Sequence, residues 1–351
     1  MSSVDQYKCI SCGAPIFFKP EVGKFKCDYC NSEYTEEELT AYLESLKEGK
    51  ETKEETRGET SGEYQQYHCN NCGAEVVSDT ETTATFCYYC HSPVIISSRL
   101  SGEFKPERIV PFKVSKDKAV EIFLDWAGGK KYVPNDFGKK EHIDKMTGIY
   151  IPYWSYDVVL DVDYQAIGEN VSVWTSGDVE YTNTKQYSIV RSGDMEFNNI
   201  DELATDKFEE RLLNGISPYE EDSEVEFSKG YLSGFFAESF NVDRDACMPD
   251  VEERVKNYSS NLLADATGNY SRVKVERDNR NIKKAEEQYA LYPAWILTYN
   301  FNGKIYVFAI NGQTGKAFGE LPVDNGKLYR TTGIIFAIIA VLLVLGGLFI
   351  W

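Results

Sequence analysis

The chain has 351 residues, a formal net charge of −19 and a hydrophobic share of 42%. That length accommodates two or three domains with real cores, which excludes a disordered tail. The charge opposes phosphate backbones, so nucleic-acid binding would need a local basic patch. None is evident: residues 5–34 hold four lysines against four acids.

Eight of the nine cysteines fall between Cys9 and Cys90 in two copies of one pattern. Cys9-Ile-Ser-Cys12 and Cys27-Asp-Tyr-Cys30 are fourteen residues apart, as are Cys69-Asn-Asn-Cys72 and Cys87-Tyr-Tyr-Cys90. Gly13-Ala14 and Gly73-Ala74 follow the first pair of each copy, where a metal knuckle needs a tight backbone turn. Disulfides, redox pairs and iron–sulfur ligation share such spacing. The opening Met-Ser-Ser-Val-Asp carries no apolar leader toward an oxidising compartment, and reduced thiols in this ribbon-like arrangement favour zinc. The expected ligands of two structural Zn2+ ions are therefore Cys9, Cys12, Cys27 and Cys30, then Cys69, Cys72, Cys87 and Cys90. His68 and His91 adjoin ligands but four thiolates already complete each site. Phe25 and Phe86 are expected to cover the metals. Cys247 reads as a small buried hydrophobe.

Thr35 followed by three glutamates predicts a capped helix with Leu39, Tyr42, Leu43 and Leu46 on one face. Residues 47–63 lack large apolar side chains and predict a solvated linker that lets the two ribbons move relative to each other. Further on, Ala119, Val120, Phe123, Leu124 and Ala127 recur at helical spacing before Gly128-Gly129.

Asp157 to Tyr164 alternates as a half-buried strand with Asp161 and Asp163 on its wet face, and 171–174 and 179–191 read as further antiparallel strands. One helix is expected through Ile200, Ala204, Phe208 and Leu212, and another, opened by Pro249, through Val251, Val255, Tyr258 and Leu262. Asn302-Gly303 predicts a two-residue hairpin turn, and Asn311-Gly-Gln-Thr-Gly315 a second tight turn. Pro152-Tyr-Trp154 and Pro293-Ala-Trp295 head two strands alike, a hint of two related halves.

Residues 333–351 are nineteen positions without a charge, about 28 Å as a helix and enough to cross a bilayer. Lys327 and Arg330 at its near end predict a cytoplasmic body, so Asn170, Asn257 and Asn269 would never meet glycosylation machinery. The predicted fold class is α+β: two small zinc ribbons, an antiparallel-sheet α+β body and one C-terminal transmembrane helix. The expected segments are ribbon 5–34, helix and linker 35–64, ribbon 65–98, body 105–325 and span 333–351.

Catalytic machinery is not apparent. Gln313-Thr-Gly-Lys-Ala317 lacks the first glycine and the hydroxyl of a phosphate loop, and His68, His91 and His142 do not cluster. Asp161/Asp163 and Glu252/Glu253 read as solvated faces, and four-thiolate sites offer no open position for water.

The duplicated cysteine pattern, Gly148-Ile-Tyr-Ile-Pro-Tyr-Trp154, Asn311-Gly-Gln-Thr-Gly-Lys316 with Gly319-Glu-Leu-Pro322, and the apolar terminus together resemble a family of bacterial membrane proteins. These are described as containing a transcription factor IIB-type zinc ribbon and sometimes labelled primosomal-helicase-like. The resemblance implies zinc at the eight cysteines but no established activity, and the motor motifs behind the helicase label are missing here. The expectation is a single-pass cell-membrane protein with no catalysis of its own, an adaptor whose ribbons bind a protein partner. The alternative is nucleic-acid binding through Lys8, Lys19, Lys24, Lys26, Tyr29, Tyr88 and Tyr89; a hydrolase with an unrecognised site is a third reading.

Overall fold

The computed structural model describes residues 4–5, 7–47, 64–69, 75–87, 91–134, 137, 146–301 and 303–350. It is a mixed α+β protein with one large sheet and five α-helices among the described residues. Residues 48–63 of the expected linker, Asn302, Cys72, Cys90 and His142 lie outside them, while Lys47 ends the first helix.

The strands are β1 (Val4–Asp5), β2 (Phe17–Lys19), β3 (Lys24–Lys26), β4 (Glu33–Tyr34), β5 (Tyr64–His68), β6 (Glu75–Asp79), β7 (Thr82–Phe86), β8 (Pro93–Ile96) and β9 (Arg108–Ile109). They continue with β10 (Thr147–Ser176), β11 (Val179–Leu203), β12 (Val225–Glu226), β13 (Phe236–Glu238), β14 (Arg272–Phe301), β15 (Lys304–Asn311) and β16 (Ala317–Gly319). The helices are α1 (Glu36–Lys47), α2 (Lys116–Gly128), α3 (Glu210–Ile216), α4 (Arg244–Thr267) and α5 (Asn325–Ile350). The eleven-stranded sheet runs β1-β8-β7-β13-β10-β14-β15-β16, with β11 beside β10, β9 beside β14 and β12 beside β9.

β10 joins what the sequence presents as separate strands, because its surroundings change along its length. From Gly148 to Tyr156 both faces are buried, from Val158 to Ala166 burial alternates, and from Val171 onward the strand is exposed. The pattern therefore breaks while the hydrogen-bonded ladder to β11 and β14 continues. Gly148 stands opposite Trp295, and a Cβ there would come within 2.7 Å of Phe235 and 3.1 Å of the Trp295 ring.

The helix expected through Ile200 is corrected. Ile200 lies in β11, Ala204 is buried in the following loop, and only Glu210–Ile216 is helical. The four-residue spacing there is accidental, since ladder bonds to β10 hold Ile200 extended. The helix expected from Pro249 starts earlier, at Arg244. Its buried side chains are Cys247, Val251, Val255, Ser259, Leu263 and Thr267, while Tyr258 and Leu262 are exposed. A strict four-residue spacing turns about 40° around the helix per step, which lets the stripe follow a twisted sheet.

The two Pro-x-Trp strand heads belong to two similar halves. Phe112, Val114 and Ser115 are each 128 residues before Phe240, Val242 and Asp243, and each set leads into a helix, α2 or α4. Trp154 Nε1 donates to the Val242 carbonyl and Trp295 Nε1 to the Val114 carbonyl, both at 2.9 Å. The Pro152 carbonyl accepts from the Ala204 N–H, whose own carbonyl accepts from Asn241 and Val242; Pro293 accepts from Gly312, whose carbonyl accepts from Lys113 and Val114. Short parallel strands match as well: β13 joins β10 at Ile149–Tyr150, and β9 joins β14 at Ala290–Leu291. Each half thus closes over the other half's long strand.

Asn311-Gly-Gln-Thr-Gly315 is a structural clamp. The fully buried Asn311 amide donates to the Ile216 and Pro218 carbonyls and accepts from the Gln313 and Thr314 N–H groups. Gln313 exchanges two hydrogen bonds with the Glu220 backbone.

Candidate metal centre

The expected turns form three times with one geometry. The Cys9 N–H donates to the Ala14 carbonyl and Gly13 N–H returns to the Cys9 carbonyl; Cys27 does the same with Ser32 and Asn31, and Cys87 with Ser92 and His91. The returning residue has a left-handed backbone each time, with φ of 73° at Gly13, 59° at Asn31 and 53° at His91. Glycine, asparagine and, less readily, histidine tolerate that conformation. His91 is thus fixed by a backbone role.

In the first copy the turns bring four sulfurs together. Cys9, Cys12, Cys27 and Cys30 place their sulfurs within 4.8 Å of one another, with Cys9 to Cys30 and Cys12 to Cys27 at 3.5 Å. A tetrahedron of thiolates at about 2.3 Å from zinc has edges of about 3.8 Å, so this donor set fits a four-coordinate ion. Hydroxyls surround it: Tyr34 Oη lies 3.7 Å from Cys9 Sγ and 2.6 Å from Ser11 Oγ, and Ser32 Oγ is 3.3 Å from Cys30 Sγ. The Ser32 side chain and amide lower the Cys30 thiol to about 6. The Ala14 amide also favours the Cys12 thiolate, yet the neighbouring sulfurs of Cys30 and Cys27 push that thiol up to about 12. Four sulfurs this close do not all ionise without a cation. Sequence reasoning missed that the Ser32 and Tyr34 hydroxyls touch ligand sulfurs and that Ser11 holds Tyr34, although Ser11 adjoins Cys12 and Ser32 is two residues beyond Cys30.

In the second copy Cys69 and Cys87 are buried together with Tyr67, Val94 and Ile96. Cys87 carries the same turn as Cys27. Arg99 lies over the Tyr67 ring at 5.2 Å.

Both copies are attached to the body, which corrects the expectation of mutually mobile ribbons. In the first, β2–β4 form a three-stranded sheet that docks on the loop before β13. Phe18 N–H donates to the Ser233 carbonyl at 3.1 Å, Ser233 Oγ donates to the Ile16 carbonyl at 2.6 Å, and Phe18 packs edge-on against Tyr231. Gly230 admits the Phe25 ring, since a Cβ would meet it at 2.9 Å. In the second, β7 and β8 are strands of the large sheet, and Lys207 binds Asp79, Glu81 and Glu238 at 3.1, 2.9 and 2.7 Å. Phe25 is buried in one core with Cys9 and Cys27, whereas Phe86 packs on Phe236 of the body at 5.2 Å.

Two of the lysines proposed as nucleic-acid contacts are ion-paired, Lys19 with Asp28 at 3.1 Å and Lys26 with Glu33 at 3.4 Å. Asp161 is exposed, Asp163 pairs with Arg277 at 2.9 Å and Glu252 with Lys256 at 3.5 Å. Cys247 is buried under α4, and its burial raises the thiol to about 11. The C-terminal helix is long and apolar enough to span a membrane, and none of its apolar span is buried against the protein.

The chain is 30% identical over 323 residues to the uncharacterized protein YdjG of Bacillus subtilis strain 168, covering 92% of this chain and 91% of that protein. It belongs to the family of that protein. No protein-family model matches the chain, and no solved structure does.

Proposed function

We propose that this member of the YdjG family is a non-catalytic interaction module, held at the cytoplasmic face of the cell membrane by α5 and braced by two structural zinc ions in ribbons of the transcription factor IIB type. The carrying observation is the position of the first sulfur cluster. Cys9 and Cys27 share one core with Phe25, Leu232 and Phe235, so an ion there would stiffen the contact between module and body. Four thiolates fill a zinc ion's coordination and leave no position for a reacting water. The common knuckle supports extending this site to Cys69, Cys72, Cys87 and Cys90. A protein partner is favoured over nucleic acid by the −19 charge and the paired lysines.

Metal analysis of the full chain purified from membranes tests the reading, with two zinc ions per chain expected. Crosslinking in intact membranes, with and without Cys9→Ser, then asks whether the neighbour set depends on the first site. A metal-free chain, a chain recovered wholly in the soluble fraction, or unchanged neighbours would overturn it. So would tight nucleic-acid binding that survives moderate salt.

A further inference from the structure

The two halves carry two corresponding cavities. The smaller, about 470 Å³, lies between the first cysteine module and the body. The larger, about 1460 Å³, lies on the opposite half. The constant offsets that relate the halves also relate their linings: Gly234, Phe235 and Phe236 of the smaller take the places of Pro106, Glu107 and Arg108 in the larger, Lys116 that of Arg244, and Trp295 that of Trp154. The smaller cavity is walled by Phe17, Phe18 and Lys19 of the docked module. Among the described residues no such module stands over the larger one.

The chemistry of the open cleft differs from that of its counterpart. Its lining carries seven carboxylates against three cations. Two of those cations already have partners, Arg108 with Glu224 at 3.6 Å and Arg244 with Glu287 at 2.6 Å. Glu107, Asp222 and Glu226 are exposed. Beneath them Trp154, Phe240 and Tyr289 form an aromatic group with ring centroids 4.9 to 5.4 Å apart. Tyr289 is 2% exposed, and its hydroxyl, approached by the Phe240 backbone amide, has no hydrogen bond of good geometry. Several carboxylates around a cleft floored by aromatic rings suit a flat, weakly hydrated cation with several donors in a fixed fork, which describes guanidinium better than ammonium.

We propose that this cleft docks an arginine-bearing basic segment of a partner protein, in the position that the first cysteine module occupies on the other half. The interaction-module reading supplies the biological sense of the site, but the zinc and membrane measurements that test that reading are independent of the binding measured here. The segment would neutralise the surplus carboxylates, its guanidinium groups pairing with Asp222 and Glu226 above the buried Trp154, Phe240 and Tyr289 rings. Burial of those contacts, more than attraction to the overall charge, makes the binding local.

The test uses the full, zinc-loaded chain in neutral detergent and a fluorescent peptide of alternating arginine and serine, followed by anisotropy at about 150 mM salt, where long-range attraction is screened beyond roughly 8 Å. Saturable binding is expected, weakened about tenfold by Glu226→Lys and by Asp222→Lys. Glu253→Lys makes the same change in net charge on the exposed face of α4 and is expected to shift affinity less than about twofold. A lysine–serine peptide is expected to bind more weakly than the arginine peptide. Equal weakening by all three substitutions, or no saturable binding, overturns the proposal. Zinc content and circular dichroism establish that each variant is folded, and Asp222→Lys carries the test if Glu226→Lys disrupts β12.

Discussion

Trp154 and Trp295 stand on adjacent antiparallel strands, and each gives its indole N–H to the residue two positions before the helix of the opposite half, Val242 before α4 and Val114 before α2. The halves are therefore interlocked, and the body is one folding unit. Trp154→Phe and Trp295→Phe each leave a carbonyl without its donor and are expected to cost about 1–3 kcal/mol in denaturant unfolding. The sites share no partner, so the double variant should sum the two losses to within about 0.5 kcal/mol. A loss confined to one of the two would show that the correspondence has no energetic counterpart.

Asn311 holds two carbonyls and two N–H groups from a position with no solvent exposure. Asn311→Ala strands those groups away from water and is expected to destabilise the fold by about 3 kcal/mol or more. Asn311→Asp keeps the shape but loses both donors, so it should rescue little of that. Thermal unfolding of the two variants distinguishes hydrogen bonding from packing as the reason for the residue.

Elements set by neighbours in sequence were legible from sequence alone. α1 carries a reciprocal cap, with Glu38 N–H on Thr35 Oγ1 and Thr35 N–H on the Glu38 carboxylate, and the cysteine turns need only six consecutive residues. β14 and β15 turn at Gly303, whose φ is 80°. The long strands were not legible, because β10 passes from a two-sided core to open solvent and loses its alternation on the way. Pro249 misled for a different reason: it lies five residues inside α4, within the early turns, so the helix begins before it. The docking of the first module joins Ile16 to Ser233, and the open cleft gathers six separate stretches of chain. No local pattern encodes such meetings.

Burial raises the Glu202 carboxyl to about 7, although Arg254, at 3.0 Å, opposes the shift and Asp250, Glu210 and Asp201 reinforce it. A carboxyl that titrates higher in the folded chain than the usual 4.5 holds its proton more tightly when folded. Its stabilising contribution is therefore complete below about pH 4.5 and lost as pH rises toward 7, by at most about 3 kcal/mol. Glu202→Gln should flatten this part of the stability profile. An unchanged slope between pH 5 and pH 8, measured by thermal unfolding at constant ionic strength, would assign the dependence to other groups.

The two cysteine modules should respond differently to loss of their ligands. Cys9→Ser is expected to lower zinc from two ions to one and to open residues 7–34 to protease, because the small sheet β2–β4 is tied to the body through few bonds such as Phe18 to Ser233. Cys87→Ser should also remove one ion but lower the stability of the whole body, since β7 and β8 belong to the eleven-stranded sheet. Metal content with limited proteolysis reads both. Equal effects on the body would mean that the first module contributes as much to the core as the second.

The C-terminal helix supplies the most direct test of where the protein resides. From Ile334 to Val344, nine large apolar side chains are at least half exposed on α5. Burying each in lipid is worth about 1.5–3 kcal/mol, so together they exceed any plausible cost of ordering the helix at a bilayer. The helix base is already fixed: Asp324 N–H donates to the Tyr132 carbonyl, its carboxylate accepts the Lys327 N–H at 3.0 Å, and Lys327 Nζ reaches the Val133 carbonyl at 2.7 Å. In the proposed anchored state the body would sit close to the membrane surface on the side of Lys327 and Arg330, which the positive-inside tendency would make cytoplasmic. The full chain should stay with membranes through an alkaline carbonate wash, and a chain ending at Thr332 should be soluble and keep its zinc. Protease added to inverted vesicles should reach the cysteine modules, whereas protease added to intact cells should not. Cleavage from the outer face would reverse the orientation, and carbonate extraction of the full chain would remove the anchor from the account.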